Sequence, residues 1–278
     1  MIITDTAAMD WERLRASSRN MRTSRKLLRE GEALPGTGLY ALIVKLHEGA
    51  EKFTAPRHRH NFAQIRIGLR GQMYFGPGLE CGPGDVMFFP GGAYYGPEEI
   101  NGAEYLLLQW GREWVTRAQD KQAMQELSEH GRFEHGLYYY QDNGTEKSID
   151  GKRAVWEHVY GRPEVIREPR YRSPIMMTPD NFDWIKDGGL SRKSLGHFTE
   201  DDVTVEMLRW DGTGEAVHYF EPNRTSLAFV FKGSISVGGQ SCGPQTAIWS
   251  DLAEGQGITG NAGAETLVIG LPLERPGA

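Results

Sequence analysis

Residues 56–71, PRHRHNFAQIRIGLRG, are the most informative stretch of this sequence. Successive side chains of a β-strand point to opposite faces, so the stretch divides into two sets. The apolar set can pack on a core and comprises Ala63, Ile65, Ile67 and Leu69. The other set is largely polar and comprises His58, His60, Phe62, Gln64, Arg66 and Gly68. Two histidines at positions i and i+2 can converge on one ion, and neutral imidazole suits Fe, Zn, Ni or Cu.

The pattern that follows this strand occurs twice in the chain. Residues 71–76 (GQMYFG) lead into residues 81–90 (CGPGDVMFFP), and about 160 residues later residues 233–238 (GSISVG) lead into residues 242–251 (CGPQTAIWSD). In each copy a strand that begins with Gly is followed by a Cys-Gly-Pro turn and a short apolar strand. Because the flanking pattern recurs at the same spacing, we predict a duplication that produced two similar modules.

Short apolar or alternating segments surround both copies, and 35 Gly and 14 Pro among the 278 residues supply turns between them. The sequence therefore predicts an all-β chain of two antiparallel modules. The predicted strands are residues 38–47, 62–70, 72–75, 86–89 and 104–110 in the first module, and residues 203–210, 227–232, 234–237, 247–250 and 266–271 in the second.

Between the two modules the pattern becomes helical. Residues 113–130 contain no Gly or Pro and stop before Gly131, which predicts a helix, and residues 148–160 are compatible with a second, shorter one. We expect residues 13–29, which are rich in Arg and Lys, to form a solvated arm or helix. The predicted division is an N-terminal arm (1–35), a first barrel (36–112), a mostly helical insert and connector (113–180) and a second barrel (181–278).

Charge and composition exclude several classes of function. The chain has 31 basic and 37 acidic residues and a net charge of −6, without a dominant basic stripe, so we expect no nucleic-acid partner. No apolar stretch reaches the roughly 18 residues of a membrane span, and the first residues lack the apolar region of a secretion signal. We therefore expect a cytoplasmic protein whose two cysteines, Cys81 and Cys242, are free thiols.

Two motifs resemble those of the cupins. Residues 58–71 have the spacing H-x-H-x3-Q-x6-G, which resembles the first cupin motif, where two His and a Glu bind a metal before a closing Gly. Residues 84–95 have the spacing G-x5-P-x-G-x2-Y, which is similar to the second motif, where the last residue is His. With the duplication, the resemblance implies a bicupin, two double-stranded β-helix (jelly-roll) barrels, and covers residues 36–112 well and residues 195–275 weakly.

By this resemblance, His58, His60, Gln64 and Tyr95 are candidate ligands of one divalent ion, which could be Fe, Zn, Ni or Mn. Gln64 stands where cupins carry Glu, as it does in cupins that ketonise unsaturated uronates. Tyr95 stands where they carry His, as in metal-free sugar epimerases that use Tyr as a proton donor. The resemblance leaves open a metal site, a metal-free ligand pocket and an inert cavity.

Three further residues belong to the predicted site. Arg66 shares the face of the candidate ligands, where it is either a fork for a substrate carboxylate or a salt-bridge partner at the closed end of the barrel. Phe62 and Tyr74 are expected to wall the cavity. With Arg66 handling charge and Tyr95 handling protons, these two are the candidate catalytic residues.

The second module lacks this constellation. When Gly233 is aligned with Gly71, Phe220 and Pro222 stand where the histidines should be. His218 lies nearby, and we expect it to form a surface pair with Glu221. The second barrel is therefore expected to serve as scaffold or dimer surface.

The predicted function is a metal-dependent enzyme acting on a small organic molecule that bears a carboxylate, by dioxygenase-like chemistry or as a non-redox isomerase or lyase. The alternative is a metal-free ligand-binding or sensor protein without catalysis. A homodimer is expected, and the apolar face of Ile65, Ile67 and Leu69 packs either within the chain or against a second copy.

Overall fold

The computed structural model describes residues 1–13, 23–49, 52–212, 216–251 and 257–272. The chain forms two compact units. The unit that we call the first barrel comprises Trp11–Gly31 and Gly36–Met176, and the second barrel comprises Met1–Asp10, Glu32–Pro35 and Met177–Ala278. Within the described part of the chain, no helix is long and apolar enough to cross a membrane.

The described residues form 25 strands, two α-helices and one 3-10 helix (Pro179–Asn181). Strands of the first half are β1 (Ile2–Asp5), β2 (Glu12–Arg13), β3 (Thr23–Leu34), β4 (Thr37–Leu46), β5 (Phe53–Ala55), β6 (Ala63–Arg70), β7 (Met73–Tyr74), β8 (Glu80–Cys81), β9 (Val86–Phe89), β10 (Glu98–Ile100), β11 (Glu104–Arg112), β12 (Gly131–Glu134), β13 (Leu137–Asp142) and β14 (Thr145–Asp150). The helices are α1 (Arg117–Ser128) and α2 (Gly151–Tyr160). The remaining strands are β15 (Ile175–Met177), β16 (Ile185–Asp187), β17 (Leu190–Phe198), β18 (Val203–Trp210), β19 (His218–Tyr219), β20 (Ser226–Lys232), β21 (Ile235–Val237), β22 (Gln240–Cys242), β23 (Thr246–Ser250), β24 (Gly257–Gly260) and β25 (Glu265–Gly270).

The first barrel combines a seven-stranded sheet of order β15-β9-β6-β11-β4-β3-β2 with a four-stranded sheet of order β5-β10-β7-β8. Strand β6 lies near the centre, antiparallel to both β9 and β11. Its apolar face is packed within the chain, since Ile65 and Ile67 have no solvent exposure. Its other face places Gln64 and Arg66 in the barrel interior, where both are almost completely buried.

The second barrel repeats this topology, with a sheet of order β1-β23-β20-β25-β18-β17-β16 and another of order β19-β24-β21-β22. The turns match as well as the strands. The residue after Cys-Gly-Pro has a positive φ in both copies, +87° at Gly84 and +62° at Gln245. The predicted all-β fold of two double-stranded β-helix barrels is thereby confirmed.

Residues 1–35 do not form the separate arm that we expected. Strand β1 belongs to the large sheet of the second barrel, and β3 belongs to that of the first. Two of the basic residues illustrate this: Arg25 binds Glu12 at 2.9 Å, and the Lys26 ammonium lies 4.5 Å from the ring centre of Trp11. Residues 23–29 of the basic run therefore belong to strand β3, which pairs with β2; residues 14–22 of the predicted arm are outside the described part.

The insert contains both expected helices. Thr116 and Gln119 form a capping box at the start of α1, and Asp150 caps α2, which ends at Gly161 in the left-handed conformation (φ +62°). Between them lies a three-stranded antiparallel sheet, β12-β13-β14, that we did not predict. Most of its residues are at least partly exposed, so it lacks the apolar alternation that marks a strand.

Candidate active site

The two histidines of the first motif lie inside the first barrel. The backbones of His58 and Tyr95 pair antiparallel through two hydrogen bonds of 3.0 Å. His58 is 4% and His60 8% exposed, and their ring centres are 4.9 Å apart. The predicted convergence of the two imidazoles on the barrel interior is therefore present.

One neighbour of His58 determines which nitrogen of its ring carries a proton. The Nδ1 atom lies 2.7 Å from the carbonyl oxygen of Pro56. A carbonyl only accepts hydrogen bonds, so Nδ1 carries a proton and donates it. The other nitrogen, Nε2, faces the Glu98 carboxylate at 3.7 Å.

Glu98 is the residue of the site that sequence reasoning missed. It is 1% exposed, on the first position of β10, while its neighbour Glu99 is exposed. The only sequence signal is that Glu98 alternates with Ile100, a buried apolar residue of the same strand. A buried carboxylate requires a compensating partner, and here the partner is Arg66.

Arg66 meets Glu98 through its Nη2 atom at 3.2 Å from Oε1. The centre of its guanidinium also lies within 6 Å of four ring centres, including Phe75 at 4.7 Å and Phe89 at 4.9 Å. Burial, the largest single influence, lowers the pKa of Arg66, but the charge and hydrogen bond of Glu98 together with Tyr95 and Tyr105 outweigh burial and raise this pKa above its usual value. Of the two roles predicted for Arg66, the structure shows the internal salt bridge.

Gln64 connects this ion pair to Tyr95. Its Oε1 accepts hydrogen bonds from Arg66 Nε at 3.3 Å and from Gln109 Nε2 at 3.2 Å, and its Nε2 donates to the Tyr95 hydroxyl at 2.8 Å. An arginine has donors only. The Gln64 atom that faces Arg66 must therefore be oxygen, and the amide nitrogen must face Tyr95.

This hydrogen-bond chain decides whether the predicted ligands fit a divalent ion. The oxygen of Gln64 is directed at a cation and a second donor, and the hydroxyl of Tyr95 is bound to an NH group. In the described residues, no group of three or more His, Cys, Asp and Glu side chains is arranged to hold a metal ion. The four predicted ligands, His58, His60, Gln64 and Tyr95, therefore do not form a set that suits a divalent ion.

A cavity of about 1200 Å³ opens from this cluster. Its inner end, which we call the floor, is lined by His60, Arg66, Glu98, Tyr105 and Gln109. Its outer part is lined by residues of α1 and α2 in the insert.

The predicted site residues fall into three groups according to their position relative to the cavity. His60, Phe62 and Arg66 line it, whereas His58, Gln64 and Tyr95 are not among its lining residues but contact floor residues directly. Tyr74 is elsewhere: it lines a small surface depression on β7, so the expectation that it walls the main cavity was wrong. Its strand, two residues long, pairs with β10 and directs the ring away from the interior.

The second barrel has no comparable floor among its described residues. Phe220 and Ala228 occupy the positions of His58 and Arg66 and belong to an apolar core. His218 is buried, not on the surface as expected, because it faces this core and Arg192, whose Nη1 lies 3.3 Å from Nδ1. Burial, reinforced by the charge of Arg192, lowers the pKa of His218 to about 4. The expected pair with Glu221 is absent from the described contacts, where Glu221 binds Arg224 at 2.9 Å.

Comparison with known proteins supports the fold. No family model and no curated protein sequence matches this chain. A candidate dioxygenase of Nostoc punctiforme is similar in structure, with a TM-score of 0.60 and 13% identity over 99% of this chain and 84% of its own. The oxalate decarboxylase of Bacillus subtilis, a protein with Mn(II) centres, has a TM-score of 0.53 and 15% sequence identity, with 99% of this chain and 78% of its own covered. The YlbA protein of E. coli has a TM-score of 0.54 and 8% sequence identity, with 99% of this chain and 92% of its own covered.

These similarities agree with the two sequence motifs. The chain has the cupin fold, and the resemblance stated from its motifs is confirmed at the level of fold. Sequence identities of 8–15% do not show that this chain shares an activity with these proteins. The chemistry of this chain must therefore be argued from its own residues.

Proposed function

We propose that the first barrel is the active site of a non-redox enzyme that transfers a proton on a small organic molecule without a metal ion. The observation that carries this proposal is the composition of the floor. His60, Glu98 and Arg66 line one end of a single cavity, and the orientation of Gln64 leaves an ion without a suitable set of ligands. Acid–base chemistry is what these groups can perform.

Each floor residue has a distinct part in the proposed reaction. Imidazole is the side chain that accepts and releases protons most readily near neutral pH, so His60 takes a proton from a carbon next to a carbonyl group. The electron pair moves to the carbonyl oxygen, where a hydrogen bond from the Arg66 guanidinium, whose charge Glu98 already balances, stabilises the developing enolate. Return of the proton to the same carbon exchanges its hydrogen; in a substrate with a neighbouring double bond, return to the γ-carbon of the dienolate shifts that double bond and completes an isomerisation. Phe62, parallel to the His60 ring at 4.6 Å, holds that ring in place.

The experiment that tests this proposal measures exchange of carbon-bound hydrogen. The full chain is incubated in D₂O with 2-acetyl-6-methoxynaphthalene and with acetone, and NMR follows deuterium entering the methyl groups next to the carbonyls. We expect exchange faster than in buffer, and its loss in H60A. His197, which is exposed and belongs to the second barrel, provides the control H197A, which should exchange at the wild-type rate. No exchange with either ketone would leave the cavity as a binding site without catalysis.

One observation favours a second candidate, a metal-assisted reaction as predicted from the motifs. The 3.7 Å between His58 Nε2 and Glu98 Oε1 is a separation that a metal bound to both atoms could span. Glu98 would have to give up Arg66, and a third ligand would be needed. Metal analysis of the purified protein separates the two candidates, since this one requires a stoichiometric ion that H58A loses.

The carboxylate-bearing substrate that the sequence suggested is not part of the proposal. That expectation depended on Arg66 as the partner of a substrate carboxylate, and Glu98 already accepts a hydrogen bond from Arg66 Nη2. The homodimer remains a prediction, and it would have to use a face other than the buried one of Ile65 and Ile67.

A further inference from the structure

Resting on the proposed function, we infer that the substrate is an elongated, uncharged molecule with a carbonyl or hydroxyl head and a flat apolar body. The head reaches the floor, and the body lies along the outer cavity. Three features of the first barrel carry this inference: the size of the cavity, the rings along its wall and the balance of its charges.

The cavity is larger than a small molecule bound to the floor residues would fill. Its volume of about 1200 Å³ exceeds the roughly 300–1,000 Å³ that is typical of sites for drug-sized ligands. The lining continues from the floor past Leu107 to Met124 on α1 and Trp156 on α2. A two- or three-carbon substrate would leave most of this volume to water.

One wall of the cavity is a row of rings. His60 stacks on Phe62 at 4.6 Å, Phe62 meets Trp114 edge to face at 5.6 Å, and Trp114 lies 6.4 Å from Tyr40. Aliphatic side chains of β4, Leu42 and Val44, also line the cavity. Flat apolar ligands gain dispersion and offset-stacking energy on such a wall.

The row is held in place by its neighbours. The Trp114 ring covers Gly38 so closely that a Cβ at position 38 would lie 2.1 Å from Trp114 Cγ. The Tyr40 hydroxyl accepts a hydrogen bond from Arg25 at 2.9 Å. A wall that is rigid before binding loses little entropy when the ligand arrives.

The charges of the cavity favour a neutral ligand. The described residues that line it include six basic and six acidic side chains, so the lining is formally neutral. At the floor, Arg66 and Glu98 neutralise each other. An anionic head would meet the carboxylate and a cationic head the guanidinium, whereas a carbonyl or hydroxyl can form hydrogen bonds with either partner.

The test uses two probes with the same rings and different heads. They are 2-acetyl-6-methoxynaphthalene, which is uncharged, and 6-methoxy-2-naphthoate, which carries a carboxylate. Equilibrium dialysis of the full chain should show the ketone binding at least tenfold more tightly. The variant E98Q removes the carboxylate that occupies Arg66, so we expect it to bind the naphthoate more tightly than the ketone. If E98Q fails to fold, the wild-type preference alone decides, and equal or tighter binding of the naphthoate overturns the inference.

The wall is tested separately. W114A should weaken ketone binding about tenfold, the scale of an aromatic contact with its buried area. Trp184 in the second barrel contacts Lys193 and Arg209 and is not among the residues that line this cavity, so W184A should change binding less than twofold. An unchanged affinity in W114A contradicts the inference.

The exchange experiment distinguishes this inference from the proposed function. Deuterium exchange into acetone without binding of the naphthyl ketone would contradict the inferred substrate class and would support the proposed proton transfer. Tight binding of the naphthyl ketone without exchange would contradict the proposed proton-transfer activity and would support the inferred class of ligand.

Discussion

Replacing Glu98 with Ala removes the one carboxylate that the structure places against the buried Arg66. Arg66 is 6% exposed, so water in the cavity can compensate only in part for the lost carboxylate. Breaking a buried ion pair from one side costs about 3–5 kcal/mol of unfolding free energy. The four rings around Arg66 offset part of this loss, so we expect E98A to lose about 3 kcal/mol.

Urea unfolding followed by circular dichroism measures this loss, and the next residue of β10 provides a matched control. Glu99 is exposed and pairs with Lys52 at 3.5 Å on the surface, so E99A should lose less than about 1 kcal/mol. Removing both buried charges in the double variant R66M/E98L should restore most of the stability that E98A loses. Equal losses in E98A and E99A, or a double variant less stable than E98A, would refute the proposed burial of this pair.

Three further predictions concern titratable groups. Burial, with the nearby Asp150 second, raises the pKa of Glu164, which lines the cavity, to about 7. The unfolded chain therefore loses this proton first, and the unfolding free energy should fall by about 1 kcal/mol as pH rises from 4.5 to 7, discounted for partial exposure. E164Q should flatten this pH dependence of the unfolding free energy measured in urea. The pKa of His218 is lowered to about 4, so stability should fall by about 3 kcal/mol as pH drops from 6.5 to 4; H218Q should flatten this slope, and an unaltered slope would contradict the burial of the ring. Burial raises the pKa of Cys81 to about 12 and also raises that of Cys242, so Ellman's reagent at pH 8 should detect both thiols only after unfolding, and rapid labelling of the native protein would contradict this.

The fold could be predicted because its signals are local. Cys-Gly-Pro turns, strand-length apolar segments and the H-x-H spacing each occupy a few consecutive residues, and the duplication showed them twice. The N-terminal strands were missed because their basic residues resemble a solvated run, and their partners, such as Glu12 for Arg25, become evident only after folding.

The site was predicted in part for the same reason. Strand parity placed His58, His60, Gln64 and Arg66 on one face, and the structure buries all four. Strand β6 begins only at Ala63, however, so parity explains Gln64 and Arg66, whereas His58 lies in an isolated bridge to Tyr95. Glu98 could not be distinguished from Glu99 by type, and only strand pairing buries one and exposes the other. Its presence favours the salt bridge over the substrate fork, the two roles predicted for Arg66, and thereby changes the expected charge of the substrate.

The most direct test of the account is the rate at which deuterium enters the methyl group of 2-acetyl-6-methoxynaphthalene with and without EDTA. The account predicts a rate above that of buffer that EDTA leaves unchanged and that H60A abolishes. A rate that EDTA abolishes and that an added divalent ion restores would contradict it.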